Sequence, residues 1–556
     1  METGSKRYHH GRIPGLILAL LSGMACAYAA PSDSTQDFVV PLESVLRESL
    51  PLDWPRIGAF YEARQGRTLW HDDKGLTAQG RQLYAWLAAA DRDGLNPADY
   101  RVNQLRPLMD NPLPAHRLLR DLLLTDGYVL LARDLSGGRL DPKRVDPLWQ
   151  VQDDPVDPLA ALEPALQRHA LGELLDSLAP ASEAYVRLRD ALARYRALQA
   201  QGGWPMLTID HTLRPGDDDP AVVQLRERLS VENGGDAAQP LVASRFDDDL
   251  RAAVERQQAR YGLKTDGIVG PDTLDALNLP VQTRIAQILA SLERWRWLPH
   301  ELAPEYLMVN TAGFEIELVA QDRVVFHKRT VNGSQVRQTP SFVSRVTHLV
   351  ANPLWTVPRT IAVEDMLPRQ QAEGDYLQRS RIRVYRRIGA DWEETDPALI
   401  DWSAYDKNNF PFVLKQDAGS GNSLGQVKFY MPNPYAVFLH DTPAVGLFQR
   451  ANRALSSGCV RVEGAEQLAR LLAQDTAAGQ EADFIHALES GQTLITALER
   501  PVPVYVTYFT SWVDASGAVN FRPDVYRRDD RLILALGGGL TPVAAHRTGA
   551  AGSSAL

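Results

Sequence analysis

Between about Leu46 and Gln201 apolar residues recur at helical spacing. Leu83, Trp86, Leu87 and Ala90 share one helix face, and Leu118, Leu119, Leu122 and Leu123 share another. Gly94-Leu95-Asn96-Pro97 and Gly137-Gly138 punctuate the run, so the pattern predicts a mostly helical domain with short connections over 40–205. From about Leu307 the period drops to two. Phe314, Ile316 and Leu318 alternate with Glu315 and Glu317, and Val324 and Phe326 follow. Residues 347–350 (ending at Asn352-Pro353), 435–439, and a segment with Val504, Val506 and Tyr508 read as further strands. The 435–439 run is almost wholly apolar and is expected to be central. Short strands with turn signals predict a β-rich, mixed α+β domain over 300–510, with C-terminal strands and a tail at 511–556.

Two stretches break this division. After Gly202-Gly203, Asp219-Pro220 predicts a capped helix start, with Val222, Leu225 and Leu229 on one face. A second helix runs from about Asp247 to Tyr261. Asp266-Gly267-Ile268-Val269-Gly270-Pro271-Asp272-Thr273 then makes a tight turn into a third. The result is a compact three-helix unit over 212–278. The other stretch, 359–424, is polar and irregular and carries Arg379, Arg381, Arg383, Arg386 and Arg387. An insertion of that length is a lid or a loop. Its arginines are either a cap's positive face for acidic ligands or the solvated guard of a strand edge.

Length and charge sharpen the picture. A chain of 556 residues implies several domains, and the net charge of −10 with no base-reading motif excludes nucleic acid as a partner. Lys6, Arg7 and Arg12, an apolar run from Leu16 to Ala25, and Ala27-Tyr28-Ala29 read as a cleaved secretion signal over 1–30. A retained anchor is the alternative, although the run is short for a membrane span. Cys26, after Ala25, is a weak lipoprotein signal. Removal of the signal leaves Cys459 as the lone cysteine of an exported protein, where thiols are usually paired. A buried inert cysteine is the bland reading and a working thiol the other. His71 and His116 stand alone and suggest no site.

The residues around Cys459 favour the working thiol. His440 ends the 435–439 run, and Cys459 follows nineteen residues on, within Ser456-Ser457-Gly458-Cys459-Val460-Arg461-Val462. That separation suits two adjacent strand ends joined by a loop with a short helix at 447–454. An imidazole there can activate the thiol, which reacts as thiolate. Gly458 lets the backbone amides of Ser457, Gly458 and Cys459 converge on one spot, as an oxyanion hole requires. Arg461 shares a face with the sulfur if the segment is extended. It can clamp a substrate carboxylate, or it can pair structurally with Glu463.

Three groups of motifs carry resemblances. Residues 212–278, with Asp-Gly-Ile-Val-Gly-Pro-Asp-Thr, resemble the peptidoglycan-binding domain type 1 family. Asp217, Asp218 and Asp219 crowd one end of that unit and do not favour a polyanionic ligand there. The strings around His440 and Cys459 resemble the YkuD catalytic domain of L,D-transpeptidases, in its large, multidomain, YcbB-like group. Leu292-Glu293-Arg294-Trp295-Arg296-Trp297-Leu298-Pro299, Asn352-Pro353-Leu354-Trp355-Thr356-Val357-Pro358 and the 508–529 segment look like other parts of that group. In the wider family a second histidine usually precedes the Gly-Cys pair; here Ser457 stands there, so His440 is the only base in view.

The resemblance implies a multidomain chain. It has a helical scaffold, a small peptidoglycan-binding domain, and a β-rich catalytic domain with a cap inserted at 359–424. It implies Cys459 as nucleophile, His440 as general base and acid, and Arg461, Trp355 and Ser456 on the substrate side. The implied reaction cleaves the bond after the diaminopimelate of a tetrapeptide stem and passes the acyl group to another stem's side-chain amine. No metal or organic cofactor is implied. The expected partners are stem peptides and glycan, the cell-wall synthesis machinery, and a carbapenem as covalent inhibitor, all in the periplasm. Rival readings are an L,D-carboxypeptidase on the same scaffold and a non-catalytic wall-binding protein. A papain-like protease fits poorly, because there the cysteine precedes the histidine. What orients His440 is expected to be a backbone carbonyl near Asp441 or Gly458, or less readily the Asp441 carboxylate.

Overall fold

A computed structural model describes residues 52, 54–72, 74–151, 157–232 and 243–537. The expected signal at 1–30, Cys26, and the tail beyond 537 lie outside them. The chain divides into two compact units. One takes in the described residues up to Arg139 and those between Asp153 and Ala181; the other takes in Leu140–Gln152 and everything from Ser182 onward. The helix Glu183–Ala200 belongs to the second unit.

The first unit is helical and is built around Pro114–Gly137. Ile57, Trp70, Leu83, Leu124 and Tyr128 fill its core. Asp121, fully buried, accepts hydrogen bonds from the backbone amides of Leu69 and Trp70 and from the Tyr61 hydroxyl, and lies 2.9 Å from His71 Nδ1. His71 is thus a satisfied structural residue.

In the second unit, Glu183–Ala200 packs on Val281–Arg296. The three-helix element follows the sequence closely: Ala221–Glu232 and Asp248–Arg260 start under the side-chain caps of Asp219 and Asp247, and Pro271 opens Pro271–Leu277. Glu232 joins it to its neighbours. This buried carboxylate accepts from Arg228 (2.9 Å), Tyr261 (2.6 Å) and Tyr195 of the 183–200 helix (2.9 Å). Burial pushes its pKa up, but Arg228, Arg260 and Arg284 overcome that and hold it at about 2.

The strands are β1 (Glu305–Asn310), β2 (Glu315–Ala320), β3 (Arg323–Gly333), β4 (Phe342–Ala351), β5 (Trp355–Thr356), β6 (Ile382–Ile388), β7 (Asp391–Thr395) and β8 (Phe412–Gln416). They continue with β9 (Val427–Tyr430), β10 (Leu439–His440), β11 (Ala454–Ser456), β12 (Val460–Val462), β13 (Leu494–Thr507), β14 (Ser511–Val513) and β15 (Val519–Phe521). The order β3-β12-β10-β9-β4-β13-β1-β2 returns to β3, closing a ring of eight strands, with β11 added beside β3. Closure leaves no open edge in the ring.

Two expectations are corrected here. Residues 435–438 are not strand; only Leu439–His440 is. Asn433 prevents it: its Oδ1 accepts the amides of Tyr435 and Val437, its Nδ2 donates to the carbonyls of Met431 and Val437, and Ala436 adopts φ +54°. The short helix between His440 and Cys459 lies at Val445–Gln449 rather than 447–454. The insertion is an ordered subdomain. β5-β8-β6-β7 form an antiparallel sheet over a core of Met366, Leu377, Val384, Trp402, Phe412 and Leu414. Arg379 and Arg383 are taken up by ion pairs with Glu373, Asp375, Glu394 and Asp417. The expected positive face of the cap is therefore partly neutralised.

Candidate active site

Strands β9, β10 and β12 bury one face. Val427, Phe429, Leu439, Val460 and Val462 are fully buried there and pack with the amphipathic helix Ala465–Ala473. The alternate positions face the other way. Lys428 is in register with His440 across the antiparallel β9–β10 pair, and His440 with Arg461 across the parallel β10–β12 pair. Side chains in register share a face, so Lys428, His440 and Arg461 form one row.

Cys459 lies just before β12. The Val460 amide donates to Phe438 O (3.0 Å), extending the ladder and setting Cys459 beside Phe438. Its sulfur is half-buried and 3.7 Å from Ala436 O. Burial pushes the thiol pKa up, while the Phe438 amide, Lys428 and Arg461 pull it down; burial prevails. His440 Nδ1 is 2.5 Å from Asp441 O. A carbonyl only accepts, so Nδ1 carries the hydrogen and Nε2 is left with its lone pair. The Asp441 carboxylate is tied instead to the Gln426 amide. Burial, then Arg461 and Lys428, push the imidazole pKa down to about 3 against the favourable Asp441 carbonyl. Burial thus disfavours the charged form of both the thiol and the imidazole.

Gly458 sits at φ +119°, which favours glycine, and nothing lies where a Cβ would go, so conformation alone explains it. Ser456 Oγ accepts from the Gly458 amide (3.1 Å) and donates to Cys459 O (2.6 Å). One of the three amides expected to converge is thus already committed, and Ser456 acts as a brace of the turn. Ser457 is exposed, with its Oγ 3.0 Å from Arg337 Nη1.

Arg461 is not paired with Glu463. Arg329 takes Glu463 through bonds of 2.9 and 2.6 Å, and the buried Nε of Arg461 has no hydrogen-bond partner among the described residues. Trp355 belongs to the cap, paired with Gln416 and packed on the cap core. Lys428 is the residue the sequence reading missed. It is half-buried, its Nζ lies 3.8 Å from the Phe438 ring centroid, and its pKa is lowered by burial and raised by Cys459. The only signal for it was alternation in Val427-Lys428-Phe429-Tyr430. No cluster of three or more His, Cys, Asp or Glu side chains able to hold a metal occurs among the described residues.

Residues 304–495 match the L,D-transpeptidase catalytic domain family. The chain carries an L,D-transpeptidase catalytic domain. Ahead of that transpeptidase domain, residues 55–192 match the scaffold domain family and 218–277 a peptidoglycan binding domain family. A Haemophilus influenzae protein named "Putative L,D-transpeptidase" is 36% identical over 229 residues, which is 41% of this chain and 45% of that protein. The match therefore spans about half the length of that relative. An L,D-transpeptidase from Xylanimonas cellulosilytica aligns at 14% identity and TM-score 0.17, covering 54% of this chain and 98% of that one. One from Stackebrandtia nassauensis aligns at 12% and 0.22, covering 54% and 97%. Within the transpeptidase domain fall Lys428, His440, Ser456, Cys459 and Arg461.

Proposed function

We propose that this chain cross-links peptidoglycan by acyl transfer between stem peptides through a thioester on Cys459. The observation that carries the reading is the row Lys428–His440–Arg461 beside a half-buried thiol, in a domain of the transpeptidase family. Stem peptides are rich in carboxylates, and Lys428 and Arg461, two cations beside the sulfur without acidic partners among the described residues, suit such a donor. Arg461 is the stronger candidate for a bidentate grip.

As sulfur attacks the diaminopimelate carbonyl carbon that bears the terminal D-alanine, His440 Nε2 takes the thiol proton. The Cys459 amide faces the developing oxyanion. The C–N bond breaks, and His440 returns the proton to the departing D-alanine. In the second half an acceptor amine bonds to the acyl carbon, its proton passes to His440, and the C–S bond breaks to release the thiolate. A substrate carboxylate on Arg461 and Lys428 offsets the charges that depress His440, so the imidazole becomes more basic when the donor is bound. No metal or organic cofactor enters this scheme.

The peptidoglycan-binding match upstream supports the same polymer as ligand and the cell-wall compartment as the place of work. No helix among the described residues is long and apolar enough to cross a membrane. The test is incubation with tetrapeptide muropeptides. Cross-linked dimers are expected; tripeptide monomers alone would make the protein an L,D-carboxypeptidase.

A further inference from the structure

The β3–β4 loop touches three successive residues of the nucleophile turn. The Ser334 amide donates to Ser456 O (2.8 Å), Arg337 Nη1 to Ser457 Oγ (3.0 Å), and Thr339 Oγ1 to Gly458 O (2.8 Å). The loop is itself closed. Gly333 N donates to Thr339 Oγ1 (2.9 Å), and a Cβ on Gly333 would meet the backbone of Arg337 and Thr339.

Arg337 also reaches the cap. Its Nη1 and Nη2 donate to the two Asp365 oxygens (2.6 and 3.0 Å), and Nη2 also donates to Glu364 (2.6 Å). Both acids lie in Ala362–Met366, a π-helical turn of the cap. Such widened turns are rare and cluster at functional sites. A guanidinium fork on a carboxylate is the strong, directional kind of pair. Arg337 makes and breaks no bond in the proposed reaction, yet its side chain joins the cap to Ser457, two residues before Cys459.

We propose that Arg337 is a positioning residue that locks the cap to the nucleophile turn. Cap seating and the geometry of Ser457, Gly458 and Cys459 then become one event, and the thioester is held for an amine rather than water. This rests on the acyl-transfer reading. In that step the attacking nitrogen or oxygen bonds to the acyl carbon, its proton goes to His440, and sulfur leaves as thiolate. Arg337 governs which attacker arrives.

Hydrogen–deuterium exchange on the full chain tests the coupling without requiring activity. In Arg337→Ala, exchange should rise about tenfold at both 362–373 and 456–460, the scale of a lost charged hydrogen bond, with the barrel strands still protected. Arg337→Lys keeps the charge but not the fork and should fall between. Ser457→Ala should loosen 456–460 and leave the cap protected. Unchanged exchange at 456–460 in Arg337→Ala, or loosening of the cap alone, overturns the proposal. On muropeptides the same variant should raise the ratio of hydrolysed to cross-linked product about tenfold; an unchanged ratio also overturns it. Absence of dimers from the unaltered protein would instead remove the transferase reading, and exchange would still decide the latch.

Discussion

His440 stands in register with Arg461, with a cation on each side of the imidazole once Lys428 is counted. Burial and these cations disfavour the charged imidazole, and burial disfavours the Cys459 thiolate. The thiol's pKa lies above its ordinary value, so alkylation by a small neutral reagent should keep rising with pH beyond about 8.5, where a free cysteine titrates. Lys428 opposes that elevation. Lys428→Met should therefore raise the thiol pKa further and slow alkylation at pH 7. The pH–rate profile of alkylation in both proteins checks this.

With Glu463 held by Arg329, Arg461 is available to the donor stem. Arg461→Ala should lower kcat/KM about 10- to 100-fold, chiefly through KM, on the scale of a lost charged hydrogen-bond pair. Lysine should restore little, since it lacks the fork. Steady-state kinetics with a defined tetrapeptide donor measures it.

Ser456 braces the turn by accepting one hydrogen bond and donating one. Ser456→Ala frees the Gly458 amide and the Cys459 carbonyl together, and should lower kcat about tenfold or more while costing about 1–3 kcal/mol of stability. Carbapenem acylation rates and thermal unfolding of the same sample separate the two effects.

Glu232 ties the three-helix element to the 183–200 helix. Its folded pKa, about 2, is below the ordinary value, so its contribution is complete above about pH 4.5 and is lost as pH falls toward 2. Glu232→Gln leaves Arg228 without its buried partner and should destabilise by about 3–5 kcal/mol at pH 7. Unfolding free energies should converge as pH falls toward 2, and a constant difference would show that charge is not the cause.

Cys459 and His440 could be singled out as candidates because short local strings carry them. The helix caps at Asp219 and Asp247 were legible for the same reason. Lys428 and Arg337 were not, because their neighbours are set by strand register and loop closure across stretches distant in sequence. The 435–439 run was read as strand on apolar content, and Asn433's four side-chain hydrogen bonds overrode that content. The cap's order was in the sequence as period-two pairs, Ile382 with Val384 and Phe412 with Leu414, but the arginines between them masked it. The partner of Arg461 was open until Arg329 was seen to hold Glu463.

The central claim is that Cys459 carries the acyl group. Intact-mass measurement after incubation with a carbapenem tests it most directly. The unaltered protein should gain the mass of one opened carbapenem, and Cys459→Ala should gain none. An adduct that persists in Cys459→Ala, or none on folded unaltered protein, would contradict the account.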